Sequence, residues 1–230
     1  MAEGDQAYLK CCKDEHMPVP PFDRYIYVLP NYVVKKPLSI DVETVLQRDE
    51  NEIEAMKLVQ EYTNVPIPRV IHRGEGFNVF ERIQGITVNE KSIWDNVNPR
   101  QREAIRLQVQ GFIQQLAAIP NLTGEVRSLV PSGQIFHLQL PNRGPFKSTE
   151  DFTKAYADHG VLSAIFPESR PVFSHMDLDL SNLILHPNLD AVAGLIDWER
   201  ACFFPEGGRS IHRMCHQLPG WETLFDGLEL

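Results

Sequence analysis

The sequence predicts an α+β fold in two unequal parts, and three observations carry that prediction. Residues 24–83 set short β-branched and aromatic runs around one amphipathic helix. From residue 98 onward helical periodicity dominates. Residues 171–199 then place two apolar runs around a group of carboxylates and an amide.

The elements follow in order. Residues 1–22 are charged and carry Pro18, Pro20 and Pro21, so a loose lead-in is expected. Residues 25–29 and 32–34 read as strands joined by a turn at Pro30-Asn31. Residues 49–62 read as a helix, because Ile53, Met56, Val59 and Tyr62 recur at helical spacing and acids occupy the first turn. In Val65-Pro66-Ile67-Pro68 each proline holds its predecessor extended. Residues 70–72, the Gly74-Glu75-Gly76 turn and residues 77–83 read as a hairpin ended by Gly85. Asn98 followed by Pro99 opens a helix with Ile105, Val109, Phe112, Leu116 and Ile119 on its buried face, stopped by Pro120. Residues 130–147 read as loop and 149–159 as a short helix. Residues 183–185 and 192–196 pair as a hairpin across a turn at Pro187-Asn188. The two parts meet near residues 84–89, which gives a lead-in over 1–22, a smaller unit over 23–85 and a larger one over 86–230.

Composition narrows the class. The chain has 230 residues and 43% hydrophobic content, enough for one large domain or two small lobes. No run approaches the ~18 apolar residues of a membrane span, and the acidic N-terminus does not read as a secretory signal. Cys11, Cys12, Cys202 and Cys215 form no C-x-x-C pair, so reduced cytoplasmic thiols are expected. The net charge is −9, and residues 171–230 hold nine acids against three arginines and no lysine. That balance disfavours a nucleic-acid partner. It favours a cationic small molecule or a metal, with a solvated acidic surface as the plainer reading.

The segment Phe173-Ser174-His175-Met176-Asp177-Leu178-Asp179-Leu180-Ser181-Asn182, with Leu195-Ile196-Asp197-Trp198-Glu199, carries the chemistry. Phosphoryl transfer needs a positioned hydroxyl, neutralised phosphate charge and in-line geometry. Asp177, on a loop after an apolar strand, can accept the proton of an attacking hydroxyl. Asn182 and Asp197 supply hard oxygens of the kind Mg²⁺ prefers, and the hairpin folds one back toward the other. H-x-D alone is a weak signal; the added hairpin ending in Asp-Trp-Glu makes the combination more specific.

These motifs resemble those of the aminoglycoside phosphotransferase/choline kinase-like family, particularly its fungal small-molecule kinase-like branch. The resemblance runs from about Tyr32 to the end of the chain. It implies a two-lobed protein-kinase-like fold, with a shortened β-rich N-terminal lobe and a mainly helical C-terminal lobe. It implies ATP and Mg²⁺ as cofactors and a small-molecule hydroxyl as acceptor. His175 to Asn182 resembles the catalytic loop, with Asp177 as catalytic residue; Ile196-Asp197-Trp198-Glu199 resembles the metal-binding segment, with Asn182 and Asp197 as ligands. Val33-Val34-Lys35 resembles the strand bearing the phosphate-contacting lysine, and Glu52 the glutamate that pairs with it. Lys36 competes with Lys35 by position, and Glu50 or Glu54 with Glu52. The backbone near Glu81 and Ile83 resembles the hinge that meets adenine.

The chain departs from that pattern in three ways. No glycine occurs between Gly4 and Gly74, so any phosphate cover is the plain turn Leu29-Pro30-Asn31. Met176 stands where relatives often carry a small residue. Little sequence follows Trp221, so the acceptor site is expected to be open or completed by a second subunit. The short upper lobe motivates a second reading, a kinase-like regulatory protein with little catalysis. His212 and His216 are spaced i,i+4 like a zinc pair, but without a clear third and fourth ligand they read as part of a helix or loop.

Overall fold

The computed structural model describes residues 3–38, 43–88, 91–137, 139–159 and 165–206. The His212/His216 pair lies outside them. Four strands, β1 (Arg24–Val28), β2 (Tyr32–Pro37), β3 (Val70–Gly74) and β4 (Phe77–Glu81), form an antiparallel sheet in the order β1-β2-β4-β3. The hairpins at Pro30-Asn31 and Glu75-Gly76 are the turns the sequence signals. Lys35 stands opposite Ile26 on β1 and Asn78 on β4. Because side chains alternate across a strand, Lys35 and Lys36 face opposite sides of the sheet.

One side of this sheet faces the long helix α2 (Glu43–Tyr62). The helix begins six residues before the expected Asp49. Its buried face carries Arg48, Asp49, Asn51 and Glu52 beside Val45, Ile53, Met56 and Val59, so hydrophobic periodicity is silent over its first two turns. Tyr62, expected on the buried face, is 47% exposed.

The other side of the sheet is covered by an element the sequence reading treats as loose lead-in. Helix α1 (Glu3–Leu9) sets Tyr8 and Leu9, with Cys12 beyond it, against Leu29, Val34, Phe77 and Val79. Tyr8 meets Tyr32 edge-on at 5.3 Å and stacks on His72 at 5.3 Å, while His72 Nε2 lies 2.6 Å from Asp5. Seven residues are too few for a stable isolated helix; packing on the sheet holds it.

The remainder contains β5 (Ile86–Thr87), α3 (Lys91–Asp95), α4 (Pro99–Ala117), β6 (Arg127–Ser128), α5 (Thr149–Ala155), β7 (Pro171–Ser174), β8 (Leu183–Leu185), β9 (Val192–Leu195) and β10 (Cys202–Pro205). Two three-stranded sheets, β6-β10-β7 and β5-β8-β9, hold the site-bearing loops. Asn98 and Gln101 form a reciprocal capping box at the start of α4, with Pro99 as its first residue. Ile113 joins Ile105, Val109 and Leu116 as fully buried, and the expected Phe112 packs against the same core partly buried. The expected loop over 130–147 contains an isolated bridge between Ile135 and Arg143. Gly85 must be glycine, since a Cβ there would lie 2.4 Å from the Leu185 carbonyl oxygen.

The main core is continuous from Met56 and Val59 of α2, through Phe80, to Ile105, Val109 and Leu116 of α4 and Leu183, Leu195 and Trp198 of the hairpin. A second cluster gathers Val126, Ile135, Phe152, Tyr156, Met176 and Phe204. No helix among the described residues is long and apolar enough to cross a membrane.

Asn51, wholly buried, ties α2 to the far side of the molecule. Its amide donates to the carbonyls of Glu199 (3.0 Å) and Ala201 (2.8 Å) and accepts from Leu129 N–H (2.8 Å). Asn51→Ala strands two buried carbonyls and one half-buried N–H, so urea denaturation is expected to show a loss of about 3 kcal/mol.

Candidate active site

The site is assembled from β2, α2, the loop between β7 and β8, and the turn after β9. Lys35 Nζ lies 2.7 Å from Glu52 Oε1 and 2.7 Å from Asp197 Oδ1. Lys36 lies on the opposite face of β2. Glu50 is 3.6 Å from Arg73, and Glu54 is 2.7 Å from Lys57. Among the alternatives open in the sequence, geometry therefore joins Lys35 to Glu52. The Phe80 ring lies under the ammonium, 5.6 Å from Nζ.

The loop after β7 is fixed by its own backbone. Buried His175 donates from Nε2 to the Ile196 carbonyl at 3.0 Å, and its Nδ1 accepts the Asp177 N–H at 3.2 Å. Its ring meets Trp198 edge-on at 4.5 Å. Trp198 is itself wholly buried and donates to the Leu195 carbonyl at 3.1 Å. Met176 adopts φ 65°, a left-handed conformation in which most side chains are disfavoured. Its side chain lies within the second apolar cluster, and that packing offsets the backbone cost. Asp177 is half-buried on the loop. Its carbonyl accepts the Asn182 amide at 2.6 Å, which leaves Asn182 Oδ1 as an acceptor with no partner among the described residues. The Asp179 carboxylate instead caps its own loop, accepting from Ser181 N–H at 2.6 Å.

Asp197 comes alongside Asn182 because Ile196 N–H donates to the Asn182 carbonyl at 3.0 Å, one step beyond the Leu183–Leu195 pair. It adopts φ 69°. Glu81 and Ile83 lie where β4 leaves the first sheet. The Glu81 carboxylate is held outward by Arg69 at 2.9 Å, and its backbone N–H donates to the Arg69 carbonyl at 2.8 Å. The Ile83 side chain packs over Gly194 of β9, where a Cβ would come within 2.2 Å of it.

A second set of charges backs the first, and the sequence reading gave it no role. Arg24 reaches Asp49 at 2.5 Å and lies 2.6 Å from Glu199, an ion pair outside hydrogen-bond angles. Arg48 bonds Glu199 at 2.7 Å and also pairs with Asp23. Asp49, expected to favour the helix dipole in a first turn, is instead drawn into this network. Both arginines look like surface residues in the sequence, and their partners lie up to 175 positions away. With Lys35, Glu52 and Asp197, and with Arg200 3.7 Å from Glu199, four cations face five carboxylates, a formal net charge of −1.

That imbalance sets the protonation pattern. Burial alone would lower the Lys35 pKa, but Asp197 and Glu52 outweigh it and hold the ammonium charged. Burial pushes the Glu52 carboxyl up further than Lys35 pulls it down, and its second oxygen has no hydrogen-bond partner. Asp197 is held well below the carboxylate range, because Lys35 overcomes its burial. No group of three or more His, Cys, Asp or Glu side chains among the described residues forms a ready metal site. The oxygens that fit a hard divalent cation are Asn182 Oδ1 and Asp197, in a cluster with surplus negative charge.

A four-stranded sheet and helix carrying a buried lysine–glutamate pair, set over a loop and hairpin that bring Asp177, Asn182 and Asp197 together, define a two-lobed kinase-like phosphotransferase. The chain belongs to the phosphotransferase enzyme family (APH), whose model matches residues 23–205; it is a small-molecule phosphotransferase. Its fold is similar to the ADP-bound aminoglycoside phosphotransferase APH(2″)-Ib, with 16% identity, TM-score 0.62 and coverage of 94% of this chain and 75% of that one. It is also similar to aminoglycoside 2′-phosphotransferase-IIIa in its GDP complex (19%, 0.57, 83% and 68%). A third similar fold is the macrolide 2′-phosphotransferase MphH from Brachybacterium faecium (14%, 0.59, 91% and 76%). Comparison with curated proteins gives no match.

His175 provides a pH test. Burial pushes its pKa down to about 4 from an ordinary 6.5. The folded chain therefore binds fewer protons than the unfolded chain between those values, and stability falls as pH drops through that window. Urea denaturation from pH 7 to 4 is expected to show His175→Gln lacking up to about 3 kcal/mol of the parent's acid sensitivity. Parallel curves for the two proteins would contradict this assignment.

Proposed function

We propose that this chain transfers the terminal phosphoryl group of ATP to a hydroxyl of a small molecule, with Mg²⁺ as the metal. The observation that carries the reading is the Lys35 ammonium, held 2.7 Å from both Glu52 and Asp197 beside the Asp177–Asn182 loop. Glu52 holds Lys35 for the nucleotide phosphates, as an oppositely charged partner does. Asn182 Oδ1 and Asp197 hold the metal. Bound Mg²⁺ supplies charge neutralisation for the phosphate oxygens.

Asp177 orients the acceptor hydroxyl and takes its proton as the oxygen attacks phosphorus; the bond to the β-phosphate oxygen breaks and ADP leaves. The backbone at Glu81 and Ile83 meets adenine. The working division is a nucleotide-binding lobe over residues 23–85 and a catalytic lobe over 86–230. The shift of pairing from the first sheet to β5-β8-β9 after Gly85 supports it. The acidic surplus favours a cationic or amine-bearing acceptor, with no nucleic-acid partner. Cys11, Cys12 and Cys202 are free thiols, which fits a reducing cytoplasm.

A ligand that binds the native state raises its stability. Thermal unfolding is therefore expected to shift upward with ATP and Mg²⁺ together, more than with either alone, and a GTP arm reads base selectivity. Asp177→Ala is expected to keep that shift and lose about 10²-fold or more in turnover, measured by nucleotide consumption against a panel of amino alcohols, amines and sugars. Wild-type turnover in the variant would remove Asp177 from its role.

A further inference from the structure

The Asp-Trp-Glu turn carries two carboxylates, two residues apart, on the segment proposed to hold the metal. From sequence alone both are eligible ligands. The structure separates them. Asp197 keeps about a third of its side-chain surface open and uses one oxygen on Lys35. Glu199 is 6% exposed, and both its oxygens are engaged: Oε1 lies 2.7 Å from Arg48, and Oε2 2.6 Å from Arg24. Its backbone carbonyl is engaged as well, by Asn51 at 3.0 Å.

We infer that Glu199, clamped by Arg24 and Arg48, is a positioning residue. It fixes Asp197 against Lys35 and does not itself ligate the metal. This inference rests on the proposed nucleotide–metal reading of the site.

The argument is mechanical. Asp197 sits in a left-handed backbone conformation at φ 69°, unfavourable for a non-glycine residue. Such a conformation persists only where the surroundings over-determine it. Trp198 pins the turn from below through the Leu195 carbonyl and the His175 ring. Two guanidinium groups from different elements hold Glu199 closely, Arg24 from β1 and Arg48 from α2, with the neighbouring Arg200 farther off at 3.7 Å. Arg48 lies four residues from Glu52, so the helix that holds the Lys35 partner also holds the turn bearing Asp197. Displacing α2 would separate Arg48 from Glu199 and Glu52 from Lys35 together. The planar fork of arginine suits this clamp, whereas lysine offers a single point charge. Asp23 and Asp49 occupy three further guanidinium donors, while Arg48 Nε is buried without a hydrogen-bond partner among the described residues.

The test uses Mn²⁺ as probe, titrated by electron paramagnetic resonance into the 230-residue chain saturated with a non-hydrolysable ATP analogue. Four proteins are compared: the parent, Glu199→Gln, Arg48→Lys and Asp197→Asn. Thermal unfolding is recorded in parallel without metal. Outer partners of metal ligands typically change metal affinity 10–100-fold. The inference expects Glu199→Gln and Arg48→Lys each to weaken Mn²⁺ binding about tenfold. Both are also expected to lower metal-free stability, while Asp197→Asn weakens binding more than either.

Arg48→Lys decides the matter, because it keeps its charge, cannot ligate a cation and removes only the fork. If Arg48→Lys binds Mn²⁺ like the parent while Glu199→Gln loses it, Glu199 is a ligand and the inference fails. If both bind like the parent, the network serves stability alone and the inference fails. Should the parent itself bind no Mn²⁺–nucleotide, the proposed function falls first, and the two failures are thereby told apart. If Glu199→Gln does not fold, the comparison of Arg48→Lys with the parent still decides.

Discussion

A single ammonium held between two carboxylates sets the terms for the rest of this structure. Lys35 is nearly buried, and a buried cation is tolerated only when paired. It is paired twice, with Glu52 from the helix and with Asp197 from the hairpin turn. Because there are two acids for one cation, their protonation diverges. Asp197 is held ionised, while burial pushes Glu52 toward the neutral form. The arrangement keeps Asp197 ionised beside the Asn182 amide oxygen, a setting that suits a divalent cation bound with polyphosphate.

Much of the architecture serves to bring those three residues together. β2 delivers Lys35 on the face opposite α1, and α2 delivers Glu52 from a face that mixes charge with apolar residues. The β8–β9 hairpin brings Asp197 beside Asn182. A core continuous from α2 through Phe80 to α4 and Trp198 then keeps the parts in register. Helix α1 covers the outside of a sheet of only four strands. It gives this small upper lobe apolar cover that its own length does not supply.

The parts of the fold readable from sequence are those with local causes. The strands around Pro30-Asn31 and Glu75-Gly76 have turn residues and β-branched runs, and the start of α4 has its cap, proline and Gln101 side by side. Asp177, Asn182 and Asp197 stand out because their spacing is fixed by one loop and one hairpin. The start of α2 is hidden because Arg48, Asp49 and Asn51 are polar in sequence yet buried in the fold. α1 is hidden because the Tyr8 ring finds its partners on Tyr32 and His72, far along the chain. The Arg24 and Arg48 clamp on Glu199 is hidden for the same reason. A buried arginine and a surface arginine look alike until distant residues are brought together. Asp179 and Glu199 lie inside the motif without a role assigned from sequence, and in the fold both are engaged internally.

The most direct measurement of the central claim is the calorimetric affinity of a non-hydrolysable ATP analogue, with and without Mg²⁺, for the parent and for Lys35→Met and Asp197→Asn. If Lys35 and Asp197 divide phosphate and metal between them, Mg²⁺ strengthens binding in the parent, and Asp197→Asn loses that Mg²⁺ dependence. Lys35→Met binds weakly under both conditions. Equal affinities in all three proteins, or a Mg²⁺ effect unchanged in Asp197→Asn, would contradict the account.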